Sequence, residues 1–169
     1  MKKICIVILV ILLCFNQLLA PNLSKYQRHC KEATKERIIR LNELMTAEFS
    51  ENNLRELLVL LNAPSPNIIV KQSKLETGWY KSKLFIYQNN LFGMHFANRR
   101  DTYSDRYVIA DNGSKVASYG SWQSSVLDLL LYFNYYDKLG YDLTNYYEFL
   151  VDAGYCENDR YINIIKNMS

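Results

Sequence analysis

Three serines stand at the heads of apolar runs in this chain, and together they confine it to a mainly helical fold. Ser50 precedes Glu51-Asn52-Asn53 and then Leu54, Leu57, Leu58, Leu60 and Leu61. Ser65 precedes Pro66, Ile68, Ile69, Gln72 and Leu75. Ser121 precedes Val126, Leu129, Leu130 and Phe133. A serine at a helix N-cap accepts a bond from an amide that the first turn leaves orphaned. A proline at the first helical position loses no bond. Apolar side chains three or four residues apart give each helix one face to bury.

The spacing therefore predicts a helix from Ser50 to the break at Asn62-Ala63-Pro64-Ser65-Pro66, and another from about Asn67 to Thr77, ended by Gly78. A long one runs from Ser121 to about Leu139. Residues 25–47 form an amphipathic helix on Ile38, Ile39, Leu41, Leu44 and Met45, with a polar arm before Ile38. Short helices are expected at Thr144–Val151 and Asp159–Ile165. The region from Asn89 to Tyr119 is rich in Asn, Asp, Gly, Arg and Tyr. There, Tyr107-Val108-Ile109 and Val116-Ala117-Ser118 flank the turn signal Asp111-Asn112-Gly113, which predicts a small β-hairpin lobe.

Residues 1–20 read MKKICIVILVILLCFNQLLA. Two lysines, an apolar core and a small residue at the end make the layout of a secretory signal peptide. The alternatives are a retained N-terminal anchor, although the apolar run is short against the ~20 residues of a membrane span, and a lipoprotein cysteine at Cys14, although Leu12-Leu13 before it lacks the small residues such a site prefers. Residues 21–50 are then an N-terminal helical extension, and residues 51–169 the functional domain. Without Lys2 and Lys3 the chain carries 18 basic against 17 acidic residues. That balance lacks the basic footprint of a nucleic-acid binder. No obligate protein partner is evident, and a monomer is expected. Cys30 and Cys156 remain after residue 20. In an oxidising compartment they pair or stay as separate thiols.

One carboxylate is placed unusually. Glu76 falls in the last turn of its helix, followed by Thr77-Gly78-Trp79. The helix dipole there disfavours a negative charge, and apolar neighbours such as Leu75 and Trp79 add desolvation. Both push the carboxyl pKa up, as a proton donor near neutral pH requires. A surface glutamate at a helix end is the plainer reading of the same residue. No group of His, Cys and Asp has metal-ligand spacing, no cofactor is implied, and Ser73 and Ser82 lack a histidine partner for nucleophilic catalysis.

The segment Gln72-Ser73-Lys74-Leu75-Glu76-Thr77-Gly78-Trp79, then Lys81-Ser82, then Asn89-Asn90-Leu91-Phe92-Gly93-Met94, resembles the glucosaminidase family of peptidoglycan hydrolases, which includes bacterial autolysins and the flagellar muramidase. Tyr119-Gly120-Ser121-Trp122 with Ser125 and Asp128 is similar to the family's second signature. Gly154-Tyr155 with Asp159-Arg160-Tyr161 is similar to its closing segment. The likeness spans about Leu54 to Ile165. It implies a lysozyme-like helical fold with a small β lobe, and Glu76 as general acid cleaving β-1,4 bonds of N-acetylglucosamine in peptidoglycan. It further implies catalysis assisted by Tyr119, and substrate contacts from Asn89, Asn90, Phe92, Gly93, Trp79 and Trp122. The residues themselves leave alternatives open. Asn89 and Asn90 suit a self-bonded turn as well as a sugar, Phe92 suits the core, and Trp79, Tyr119 and Trp122 suit either packing or a cleft. His95 reads as structural.

Glycoside hydrolysis usually employs a second carboxylate. The β lobe offers Asp101, Asp105 and Asp111, of which Asp111 is the first choice despite its place in a turn. Assistance by the substrate's own N-acetyl group is the alternative. Rival functions are a lytic transglycosylase on the same substrate, a glycan-binding envelope module without turnover, and cleavage of N-glycan chitobiose.

Overall fold

A computed structural model describes residues 35–155 and 160–168. The expected signal segment, Cys30, Cys156 and Asp159 lie outside these residues. The described part is mainly α-helical with one two-stranded antiparallel sheet.

Helix α1 (Lys35–Leu44) begins within the expected amphipathic stretch and puts Leu44 into the same core as the later helices. Helix α2 (Glu51–Leu60) starts where the serine signal placed it: Ser50 Oγ accepts from Asn53 N at 3.1 Å. Its buried face is Leu54, Leu57 and Leu58, all fully enclosed. Full burial of such side chains is worth about 1.5–3 kcal/mol each. Helix α3 (Pro66–Glu76) opens on the proline and buries Ile69, Val70, Gln72 and Ser73. Ser65 makes no side-chain cap there, because its backbone is left-handed.

The connection after Glu76 is not merely a link. It contains helix α4 (Lys83–Gln88), capped by Ser82 Oγ accepting from Phe85 N at 3.2 Å. Six residues are too few to display a helical period, so this element is not visible from apolar spacing. The hairpin lies close to its expected place. Strand β1 (Arg106–Ile109) pairs with β2 (Lys115–Ser118), from Arg106 opposite Ser118 to Ile109 opposite Lys115. The other edge of β2 is held by the loop before the lobe. Phe96 N donates to Lys115 O and Ala117 N to Met94 O, each at 2.9 Å.

Helix α5 (Trp122–Lys138) is capped by Ser121 and runs through the core with Val126, Leu129 and Phe133 buried. Its first turn caps α1 in return: Trp122 Nε1 and Gln123 Nε2 donate to the Ala47 and Leu44 carbonyls at 2.9–3.0 Å. Helices α6 (Tyr146–Asp152) and α7 (Tyr161–Asn167) close the domain, with α7 packed against α3. Among the described residues no helix is long and apolar enough to cross a membrane.

Candidate active site

Glu76 is the final residue of α3, so its carboxylate meets the negative end of the helix dipole. The chain then turns sharply. Gly78, Trp79 and Tyr80 all have positive φ, at +53°, +60° and +64°. A left-handed conformation costs a non-glycine residue roughly 1–2 kcal/mol. Thr77 holds the turn together: its Oγ1 donates to Ser73 O at 2.6 Å and accepts from Tyr80 N at 2.9 Å. Its carbonyl accepts from Lys81 N and Ser82 N. Two strained residues directly after a partly buried carboxylate are the kind of outlier that marks a functional site.

Three further elements converge on this carboxylate. Tyr161, the first residue of α7, donates its hydroxyl to Glu76 Oε1 at 2.5 Å. Gly93 approaches from the loop after α4; a Cβ at that position would stand 2.8 Å from Glu76 Oε2. Its φ of +61° also favours glycine. Gln72, one turn earlier on α3, accepts the Tyr146 hydroxyl at 2.5 Å. The loop bearing Gly93 is fixed in place by Tyr155, whose hydroxyl donates to Phe92 O.

Burial pushes the Glu76 carboxyl above the ordinary carboxylate range, and the Tyr161 hydrogen bond opposes that only in part. Tyr161 is itself pushed up, by burial first and then by the nearby Glu76 charge. Among the described residues neither a cation nor a second carboxylate acts on Glu76. The result is a carboxyl held above its ordinary range, with one oxygen, Oε2, that has no hydrogen-bond partner among the described residues.

The structure brings Gly93 to Glu76 but uses most of the other expected site residues for folding. Asn90 is buried and makes the turn that sequence left as one of two readings. Its Oδ1 accepts from Phe92 N and Met94 N, and its Nδ2 donates to Met94 O and Ala117 O. Asn89 ends α4 in the left-handed conformation and donates to Tyr119 O at 3.1 Å. Phe92 and Trp122 are core residues. Tyr119 is 1% exposed, and its hydroxyl goes to Asp128 Oδ2 at 2.8 Å rather than to Glu76. Asp128 also takes both ends of the Arg100 guanidinium, at 2.9 and 3.0 Å, and Tyr103 N. The tyrosine in contact with the candidate acid is therefore Tyr161. Trp79 is exposed, with Lys74 stacked 5.1 Å from its ring centre. Asp111 is exposed at the hairpin turn and has no hydrogen bond to Glu76, and Asp101 and Asp105 are exposed as well. The ring of His95 is exposed, and its backbone bridges to Val116.

A family model described as mannosyl-glycoprotein endo-beta-N-acetylglucosaminidase matches residues 54–169. The chain belongs to the glucosaminidase family. Comparison with curated proteins and with solved structures gave no significant match. Membership indicates glycoside hydrolase chemistry on a glycan such as peptidoglycan, and hence action at the cell envelope or outside the cell. The matched span holds every residue that converges on Glu76. Within this glucosaminidase domain, Gln72, Tyr146, Tyr155 and Tyr161 were not picked out as site residues from sequence. Gln72 shares the helical face of Glu76, one turn away, which was its only visible signal. Tyr155 and Tyr161 lie in the segment that resembles the family's closing signature, whereas Tyr146 carries no signal among 14 tyrosines.

Proposed function

We propose that this glucosaminidase cleaves β-1,4 bonds of N-acetylglucosamine in peptidoglycan, with Glu76 as general acid. The observation that carries the proposal is the environment of Glu76: a carboxyl at a helix end, raised by burial, with no cation shifting it among the described residues. General acid catalysis by a positioned carboxyl contributes roughly 10²–10⁴-fold. Its proton passes to the glycosidic oxygen as the bond from that oxygen to the anomeric carbon breaks. The leaving sugar departs as an alcohol, and water then adds to the anomeric carbon. The carboxylate left on Glu76 takes the proton that this water releases, which restores the acid.

Gly93 gives a sugar a path to Oε2, since a side chain there would occupy the space in front of that oxygen. A pure glycan-binding module has no use for a protonated carboxyl beside two strained residues, which favours turnover. Peptidoglycan lies outside the cytoplasmic membrane, in keeping with residues 1–20 acting as an export signal.

The test is digestion of purified peptidoglycan by wild type and by Glu76→Gln, followed by borohydride reduction and mass spectrometry. Reduced N-acetylglucosamine ends from wild type alone are expected. Equal release by both proteins removes Glu76 from the mechanism. Anhydro ends identify a lytic transglycosylase, because that reaction adds no water. No fragments from either protein, with native circular dichroism, identify the binding module.

A further inference from the structure

Gly93 stands against Glu76 Oε2 with a φ of +61°. Two rigid peptide planes meet at its Cα, and their orientations are its φ and ψ. Each plane carries one side-chain tether. In the plane after Gly93, Met94 N donates to Asn90 Oδ1 at 3.0 Å. In the plane before it, Phe92 O accepts the Tyr155 hydroxyl, since a carbonyl oxygen can only accept. The first tether is local, from a side chain four residues back. The second reaches across the domain, from a tyrosine 63 positions away.

That tyrosine is held in its turn. Its ring meets Tyr132 of α5 edge on, with centroids 5.9 Å apart. On another side it meets Tyr161 of α7 at 6.2 Å and a tilt of 35°. Tyr132 is faced by the Arg100 guanidinium at 5.7 Å, and Asp128 fixes that guanidinium. Tyr155 therefore touches the groups that stand at both oxygens of the Glu76 carboxyl. Its ring packs on Tyr161, which donates to Oε1, and its hydroxyl holds the peptide that brings Gly93 to Oε2. Ring packing needs no hydroxyl, so a phenylalanine would serve a purely structural role.

We propose that Tyr155 is a positioning residue for Glu76, its hydroxyl setting the Phe92–Gly93 peptide and with it the width of the gap in front of Oε2. It acts through Gly93 rather than on the carboxyl, because its hydroxyl is committed to Phe92 O. Without that bond the peptide is free to turn between its two Cα atoms, which changes φ at Gly93 and opens Oε2 to water. The effect on turnover rests on the reading of Glu76 as the acid, whereas the tether itself does not. The groups that act electrostatically with Glu76 from neighbouring elements are Tyr161 on α7, Tyr146 on α6 and Tyr155 just after α6. All three are phenols pushed upward by burial and are neutral at physiological pH.

The experiment is a double-mutant cycle of Tyr155→Phe and Gly93→Ala, read by urea denaturation and by kinetics on purified peptidoglycan. Tyr155→Phe removes one oxygen and leaves both ring contacts. With the tether intact, the Cβ added by Gly93→Ala stands 2.8 Å from Oε2 and the peptide cannot turn to relieve it. With the tether cut it can, so Gly93→Ala should lower the urea midpoint less in the Tyr155→Phe background than in wild type. Tyr155→Phe alone should lower kcat roughly tenfold at unchanged KM, short of the ~10²-fold that a misplacement of about 1 Å costs. The alkaline limb of its activity profile should move to lower pH, because water at Oε2 relieves the burial that raises Glu76. Equal costs of Gly93→Ala in the two backgrounds, or a wild-type kcat and limb in folded Tyr155→Phe, overturn the proposal. If Tyr155→Phe does not fold, exchange of the Tyr155 hydroxyl proton, followed by NMR, decides the matter. It should be slow in wild type and faster in Gly93→Ala, and equal rates overturn the tether. A coupled cycle in a protein without turnover would leave the tether standing and remove the reading of Glu76 as the acid. Glu76-dependent turnover with an additive cycle would do the reverse.

Discussion

Two carboxylates among the described residues, one buried and one partly buried, each receive a tyrosine hydroxyl. Asp128 in α5 takes one from Tyr119, and Glu76 at the end of α3 takes one from Tyr161. Their acidities nevertheless move in opposite directions. Burial pushes Asp128 up, but the bidentate Arg100 guanidinium, together with the Thr102 and Tyr119 hydroxyls, outweighs it and holds the group below the usual carboxylate range. Burial pushes Glu76 up as well, and only the neutral phenol opposes it. A tyrosine hydroxyl is present in both places, so the difference lies in the Arg100 cation and the further donors that only Asp128 has among the described residues. With them, a buried carboxylate is a charged structural lock. Without them, the same group is a poised acid.

The comparison breaks most sharply under amide substitution at the two positions. Asp128→Asn leaves Arg100 buried without its counter-charge. Breaking a buried pair in this way costs about 3–5 kcal/mol, so chemical denaturation should show a large loss of stability. Glu76→Gln should do the reverse. Activity on peptidoglycan falls by roughly 10²–10⁴-fold, while the melting temperature at pH 7 holds or rises. Equal loss of stability in both variants would mean that the two carboxylates are alike after all.

Gly93→Ala comes next. The added Cβ would stand 2.8 Å from Glu76 Oε2, and the backbone φ is positive. A misplacement of about 1 Å near reacting atoms can cost on the order of 10²-fold in rate. The stability loss is expected to stay near 1 kcal/mol, typical of a side chain forced into left-handed backbone. A variant with full activity would show that Oε2 does not need that approach. Asn90→Ala provides the contrast, since three of its bonds shape the loop and one ties it to Ala117 of β2, and its loss should appear in stability.

Acid titration of stability separates the pair by sign. The folded-state pKa of Asp128 is depressed. Its contribution is therefore fully present above the unfolded value, about 3.9, and is lost as pH falls through the folded value. The folded-state pKa of Glu76 is raised. Its protonated form favours folding most below the unfolded value, about 4.3, and that advantage disappears as pH rises through the folded value. Stability curves from pH 2 to 8 should thus flatten at the acid end in Asp128→Asn. In Glu76→Gln they should gain at neutral pH relative to wild type. Identical curve shapes would refute the opposite shifts.

Sequence made the helices legible because their signals are local. Ser50, Ser121 and Pro66 act on the amides beside them, and leucines at helical spacing need no knowledge of the partner. Glu76 was legible for the same reason, since its position at a helix end is written in Thr77-Gly78. Of the residues around it, Gly93 was legible through the family resemblance, but the tyrosine pairings were not. Tyr161 lies 85 positions away and Tyr146 is 74 positions from Gln72, and no spacing rule joins such pairs. Tyr119 was expected at the site through the family resemblance alone, and only the fold shows its hydroxyl committed to Asp128. The short α4 escaped because six residues carry too little periodicity.

The smallest effect expected is the most discriminating. Tyr119→Phe and Tyr161→Phe each remove one hydroxyl from one carboxylate. In Tyr119→Phe a buried ionised carboxylate loses one of several donors, a hydrogen bond to a charged group worth about 1.5–3 kcal/mol. The loss should appear in urea denaturation, and the pH dependence of activity should keep its wild-type shape. In Tyr161→Phe the acceptor is a carboxyl whose pKa is raised and which is neutral at low pH. Stability at low pH should therefore change by less than about 1.5 kcal/mol, the upper end for a neutral pair. The alkaline limb of the activity profile, set by ionisation of Glu76, should move to higher pH because the bond that favoured the carboxylate is gone. Exchange of these two phenotypes would place the poised acid at Asp128. Their separation along the expected lines would show that one and the same substitution reads as structure beside a cation and as chemistry without one.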